Sequence, residues 1–173
     1  MKHAVFLWMA LCASLPALGA DAGCVDFKWD VSRERALFAT QAQVLDAGTD
    51  AANAPLLAPN RLYQLRLKQR SAVRFAAPPG QNPKANWGNS GLASFKVPTA
   101  GNWRLVLELP LWVDVAADGA LLLPYDYQGQ HECAAPHKIV AFELPARPVF
   151  LQFSGTDASA VRVGITPAPP RVR

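Results

Sequence analysis

The sequence predicts an all-β domain: a single antiparallel β-sandwich or jelly-roll-like fold with a short helical or irregular N-terminal arm. Three observations predict it. After residue 61, apolar and polar residues alternate at period two in several short runs. Pro, Gly, Asn and Asp separate those runs, as turns require. No amphipathic helical pattern stands between them, which argues against a βαβ layout. A closed β-barrel is the main alternative.

Each element follows from its own pattern. "LYQLRLKQR" (62–70) sets Tyr63, Leu65 and Leu67 on one face and Gln64, Arg66, Lys68 and Arg70 on the other. "SAVRFAA" (71–77) extends that strand or forms the next one. "PPGQNPKANWGNSG" (78–91) is a long loop, and "LASFKVP" (92–98) a short strand. In "GNWRLVLELP" (101–110), Trp103, Leu105, Leu107 and Leu109 share a face; Pro110 marks a bulge or a strand change because it has no amide proton to donate. "LWVDVAADGALLLP" (111–124) carries Asp118-Gly119 between apolar runs, a hairpin signal. Residues 125–137 form a second long loop. "KIVAFEL", "VFLQF" and "AVRVGIT" are the closing strands, with Val149, Leu151 and Phe153 facing one way, and Val161, Val163 and Ile165 alternating in the last. "PAPPRVR" (167–173) is a disordered tail.

The beginning of the chain differs. In "CVDFKWDVSRERALFAT" (24–40), Asp30 or Ser32 caps a short helix through Phe38, although residues 24–29 could equally alternate as a strand. Residues 46–60 are a connection rich in small residues and proline. The expected layout is therefore an N-terminal targeting segment (1–20), an arm and linker (21–60), the sandwich (61–166) and the tail.

The first twenty residues have the layout of a secretory signal peptide: a basic start at Lys2 and His3, an apolar run, then small residues, with cleavage after Ala20 or Ala22. Its apolar core is too short to span a bilayer, and no later run is long enough, so the mature chain is expected to be periplasmic or secreted, with no transmembrane segment. "DAGC" (21–24) offers lipidation of Cys24 as an alternative, but Asp21 stands where such a signal wants an apolar residue. Once the signal is removed, Cys24 and Cys133 remain. In an oxidising compartment they pair as one disulfide, worth on the order of 4 kcal/mol in the chain-entropy model. Loss of Lys2 lowers the net charge from +4 to +3. That is mildly basic and does not mark a nucleic-acid binder. At 51% hydrophobic and 17% charged, the 173 residues are too apolar for a disordered chain.

"SFKVPTAGNWRLVLELPLWVDVAADGALL" and "KIVAFELPARPVFLQFSGTDASAVRVGIT" together resemble the pre-peptidase C-terminal type β-sandwich domain, over about residues 92–166. The "P-x-x-G" before an apolar strand and the acidic-apolar "WVDVAADG" (112–119) carry the resemblance. The closing Gly-x-Tyr element of that family is replaced by "ARPVFLQF". The resemblance implies a secreted, non-catalytic accessory module.

No convincing catalytic constellation is present. "WGNSG" fails the nucleophile-elbow spacing, and "HECAAPH" sets its histidines too far apart for a His-Glu-x-x-His helix. Asp114, Asp118, Asp126 and Glu132 read as turn and edge acids rather than paired carboxylates. His131, Cys133 and His137 have ligand-like spacing for copper or zinc, but a disulfide would remove the thiolate, so no metal or other cofactor is expected and the two histidines are a minority alternative. Arg66, Lys68, Arg70 and Arg74 form a basic stripe, read either as a solvated edge or as a patch for an anionic partner. Trp87, Trp112, Tyr125 and Tyr127 are candidate contact aromatics, while Trp103 reads as core. The expectation is an exported, non-catalytic binding or accessory protein of the cell envelope, recognising an anionic glycan, lipid or protein partner. A small periplasmic metal-handling protein using His131 and His137, and a structural subunit of an envelope complex, are the alternatives.

Overall fold

A computed structural model describes residues 22–80 and 86–170. The expected signal segment (1–20), the middle of the 78–91 loop and the last three residues lie outside the described residues.

The chain forms two mixed β-sheets that share one core, so the fold is β-rich and sandwich-like and not a barrel. The strands are β1 (Gln43–Asp46), β2 (Leu56–Leu57), β3 (Tyr63–Arg66), β4 (Lys68–Gln69), β5 (Asn89–Lys96) and β6 (Gly101–Leu107). They continue with β7 (Trp112–Ala117), β8 (Ala120–Leu122), β9 (Asp126–Gly129), β10 (Lys138–Leu144), β11 (Pro148–Thr156) and β12 (Ala160–Pro167). The first sheet runs β1-β3-β12-β6-β10-β9 and the second β2-β5-β11-β7-β8, with β4 also paired to β5.

Period-two alternation places the core. Tyr63, Leu65, Leu105, Leu107, Phe142 and Val163 face inward from the first sheet. Phe95, Val113, Val115, Val149, Leu151 and Phe153 meet them from the second. Trp103 is buried as expected, with its ring edge-on to Phe95 at 5.1 Å between centroids.

The arm forms a third layer. A 3₁₀ turn (Ala22–Asp26) and helix α1 (Ser32–Phe38) lie on the outer face of the first sheet. Phe27, Val31, Leu37 and Phe38 cover Leu62, Val106 and Ile139 there, in one cluster with Cys24 and Cys133 against which Trp29 packs. The Ser32 amide donates to Asp30 Oδ1 at 2.9 Å, so Asp30 closes the turn entering α1, while Val31 occupies the cap position without a side-chain bond. The Ser32 side chain first, and its amide second, hold the Asp30 carboxyl below its usual pKa. Leu37 lies directly over Gly164 of β12: a Cβ added there would stand 2.5 Å from Leu37 Cδ2.

Four expectations need correction. The sheets are not purely antiparallel, because β1 pairs β3 and β2 pairs β5 in parallel. Both strands come from the segment expected to be arm and linker. An edge strand needs only one partner, so its residues need not alternate strongly, and proline is tolerated beside it. "SAVRFAA" is not a strand: Arg70–Ala72 is a 3₁₀ turn, and Phe75 packs its ring on the Arg70 guanidinium at 4.2 Å. The following residues cross the outer face of the second sheet, where buried Gln152 exchanges two hydrogen bonds with the Ala77 main chain, at 2.8 and 3.3 Å. The second long loop contains β9. Its Gln128 and Gln130 amides donate to the Asp26 carbonyl, so pairing with the arm fixes a strand the local sequence does not announce. The start of the expected tail is tied down, with the Ala168 amide donating to the Asn102 carbonyl at 2.9 Å.

Candidate functional site

The hairpin β7–β8 is zipped only from Ala117↔Ala120 to Val115↔Leu122. Its turn has the positive φ that an Asp-Gly pair tolerates, 50° at Asp118 and 77° at Gly119. Beyond Leu122 the chain leaves the second sheet and crosses to β9, the edge of the first. The sheets therefore part at this side, and a cavity of about 360 Å³ opens between them.

The walls follow from strand phase. On β10, Val140 and Phe142 face the core while Ile139 faces the arm, so Lys138 shares the inner side. On β9, Gln128 turns outward to the arm and Tyr127 borders the cavity, largely exposed. Trp112 and Val113 of β7 close the opposite wall. The Trp112 indole nitrogen is buried and has no acceptor among the described residues. Lys138 Nζ lies 5.6 Å from the centre of the Trp112 ring and donates to the Leu111 carbonyl at 2.9 Å.

His131 and His137 stand at the rim, their rings edge-to-face at 5.1 Å. Burial, then the charges of His131 and Lys138, lower the His137 pKa below the usual histidine value, which keeps it neutral at pH 7. Main-chain bonds hold the loop: the Gln130 amide donates to the His137 carbonyl at 2.8 Å, and the His137 amide to the Leu107 carbonyl at 2.9 Å. Asp114, the carboxylate in the lining, accepts the Gly80 amide at 3.1 Å.

Cys24 and Cys133 form the expected disulfide, with Cα atoms 4.6 Å apart. Cys133 is thereby removed from the His-Cys-His cluster. No group of three or more potential metal ligands occurs among the described residues. The candidate carboxylates do not pair with each other: Asp118 bonds Arg147, and Asp126 bonds Lys28.

The basic stripe is partly offset by acids of neighbouring segments. Asp46 of β1 accepts Arg66 at 2.7 and 3.0 Å and Lys68 at 3.3 Å, and those bonds hold its carboxyl below the usual range. Arg74 reaches Asp50 at 3.7 Å. Of the candidate aromatics, Trp112 and Tyr127 meet at the cavity. Trp87 lies on the loop before β5, and Tyr125 borders a separate groove with Trp29 and Arg104.

Sequence reasoning missed two features. Lys138 was legible, since it stands in phase with Val140 and Phe142. The buried set Glu34, Arg104 and Thr166 had no local signal, because its members are separated by up to 132 positions and meet only where α1 crosses β6 and β12. No protein-family model and no curated protein matches the chain.

Proposed function

We propose that this chain is an exported, non-catalytic binding module of the cell envelope, built on a β-sandwich of the pre-peptidase C-terminal kind, and that the cavity between the parted sheets is its binding site. One observation carries the reading: an apolar cavity of about 360 Å³ opens where the two sheets part, with Trp112 and the exposed Tyr127 in its lining. Ligand sites are typically concave and mostly apolar, with a few polar groups that orient the ligand. The disulfide supports export. The dispersal of the acids and the engagement of the histidines with each other support a role without catalysis.

Filling the cavity tests the reading. A Cβ at Gly129 meets nothing closer than the His137 carbonyl at 3.6 Å, so a side chain can enter there. Gly129→Trp is expected to keep the fold by circular dichroism and lose binding to envelope fractions in a co-sedimentation assay. Folded Gly129→Trp protein that binds as well as the wild type refutes the cavity as the site. Charge reversal at Arg66, Lys68 and Arg70 in the same assay reports on the stripe; Asp46 already compensates part of it, so a smaller effect is expected there.

A further inference from the structure

The charged groups of the cavity lining are engaged with the protein itself. Lys138 Nζ donates to the Leu111 carbonyl at 2.9 Å and lies 5.6 Å from the centre of the Trp112 ring. Asp114 accepts the Gly80 amide at 3.1 Å. One ammonium and one carboxylate thus border the same small space, each with a protein partner. An anion drawn to Lys138 is repelled by Asp114, and a cation drawn to Asp114 is repelled by Lys138. The rest of the wall is apolar and rich in rings. Val113, Val140 and Phe142 form the floor, Pro124 stands beside them, and Tyr127 offers an exposed aromatic rim.

We propose that the cavity binds a compact, uncharged, apolar ring compound, about the size of two fused six-membered rings. This rests on the reading of the cavity as the binding site. A charged ligand of either sign leaves water for an apolar site where the one opposite charge already has a partner, and that transfer is costly. A sugar is a poorer complement, because the floor offers its hydroxyls few partners. A long acyl chain is also disfavoured, since about 360 Å³ is near the small end of ligand pockets. Rings in the wall favour a ring in the ligand, because offset and edge-to-face contacts add to the gain from buried area.

The test is isothermal titration calorimetry of the purified protein at pH 7.5 with four probes: 2-naphthylmethanol, 2-naphthoate, 2-naphthylmethylammonium and decanol. The naphthyl alcohol is expected to bind at one saturable site, at least about tenfold more tightly than either ion, as the cost of burying a charge implies. It should also bind more tightly than decanol. Tyr127→Ala, at an exposed position, should weaken it about two- to tenfold through loss of one ring contact, and Gly129→Trp should abolish it. If either ion binds as tightly as the alcohol and Gly129→Trp abolishes both, the uncharged class is overturned while the cavity reading stands. Equal affinity for decanol, or an affinity for the naphthyl alcohol unchanged in Tyr127→Ala, overturns the ring class. Binding of the naphthyl alcohol that survives in folded Gly129→Trp protein overturns the cavity reading itself. If none of the four probes binds, while Gly129→Trp still abolishes binding to envelope fractions, the ligand class falls and the cavity reading stands.

Discussion

Glu34→Leu should destabilise the protein by about 3 kcal/mol, and adding Arg104→Met should restore most of that loss. Glu34 is 1% exposed. Its Oε1 accepts Arg104 Nη1 at 3.3 Å and the Thr166 hydroxyl at 2.7 Å, while its Oε2 has no partner among the described residues. Leucine removes the charge that compensates a nearly buried guanidinium. Breaking a buried pair from one side typically costs about 3–5 kcal/mol. Arg104 keeps the Asp30 carbonyl at 3.0 Å and the Trp29 ring at 5.1 Å, which moves the expected loss to the lower end. The double variant buries two apolar side chains where two charges were desolvated, and replacements of that kind are often neutral or stabilising. Urea denaturation of all four members of the cycle measures this. With an m-value of about 2 kcal/mol/M, the single variant should shift the midpoint by about 1.5 M. Additive costs in the double variant, or a Glu34→Leu loss below about 1 kcal/mol, would refute the claim that α1 is held by a desolvated ion pair.

Reducing the Cys24–Cys133 bond, or replacing both cysteines with serine, should lower stability by about 4–5 kcal/mol in the chain-entropy model; an unchanged urea midpoint under reductant would contradict it. Gly164→Ala should cost about 1–3 kcal/mol because the new methyl must displace Leu37, and Leu37→Ala in the same chain should relieve part of that cost, which a double-mutant cycle reads directly. His137 has a folded pKa below its unfolded value, so the unfolded chain binds more protons as pH falls through the usual histidine value. The associated stability is therefore complete above about pH 6.5 and is lost below it, down to the folded pKa. His131, Lys138 and Asp114 border the same space, and His137→Asn should flatten the stability curve between pH 7.5 and 5.5; parallel curves for the two proteins would sink this assignment.

Much of the core was legible because burial of one sheet face imposes period two. Tyr63, Leu65 and Leu67, then Trp103, Leu105 and Leu107, then Val149, Leu151 and Phe153 announce their inner faces along the chain. Asp118-Gly119 announces its turn because few other residue pairs accept positive φ at both positions. The two cysteines beyond residue 20 announced each other by number alone. What could not be read locally was whatever depends on a single distant partner. Strands β1 and β2 exist because β3 and β5 offer open edges, and β9 because β10 pairs with it and the arm clips its side chains. Asp46 meets Arg66 and Lys68 only through the parallel register of β1 with β3, so part of a stripe that looks like a free basic patch along the chain is an ion-pair network on the surface.

The site divides in the same way. Sequence alone marked His131, His137, Trp112 and Tyr127 as residues of interest and paired Cys133 with Cys24. Tertiary structure decided that Trp112 and Tyr127 face one cavity, that Lys138 belongs with them, and that Trp87 and Tyr125 do not. Alternation and turn chemistry are short-range and are written within a few residues. The place where two sheets part is set by where one hairpin stops pairing and the chain crosses over, a long-range outcome that no local pattern encodes.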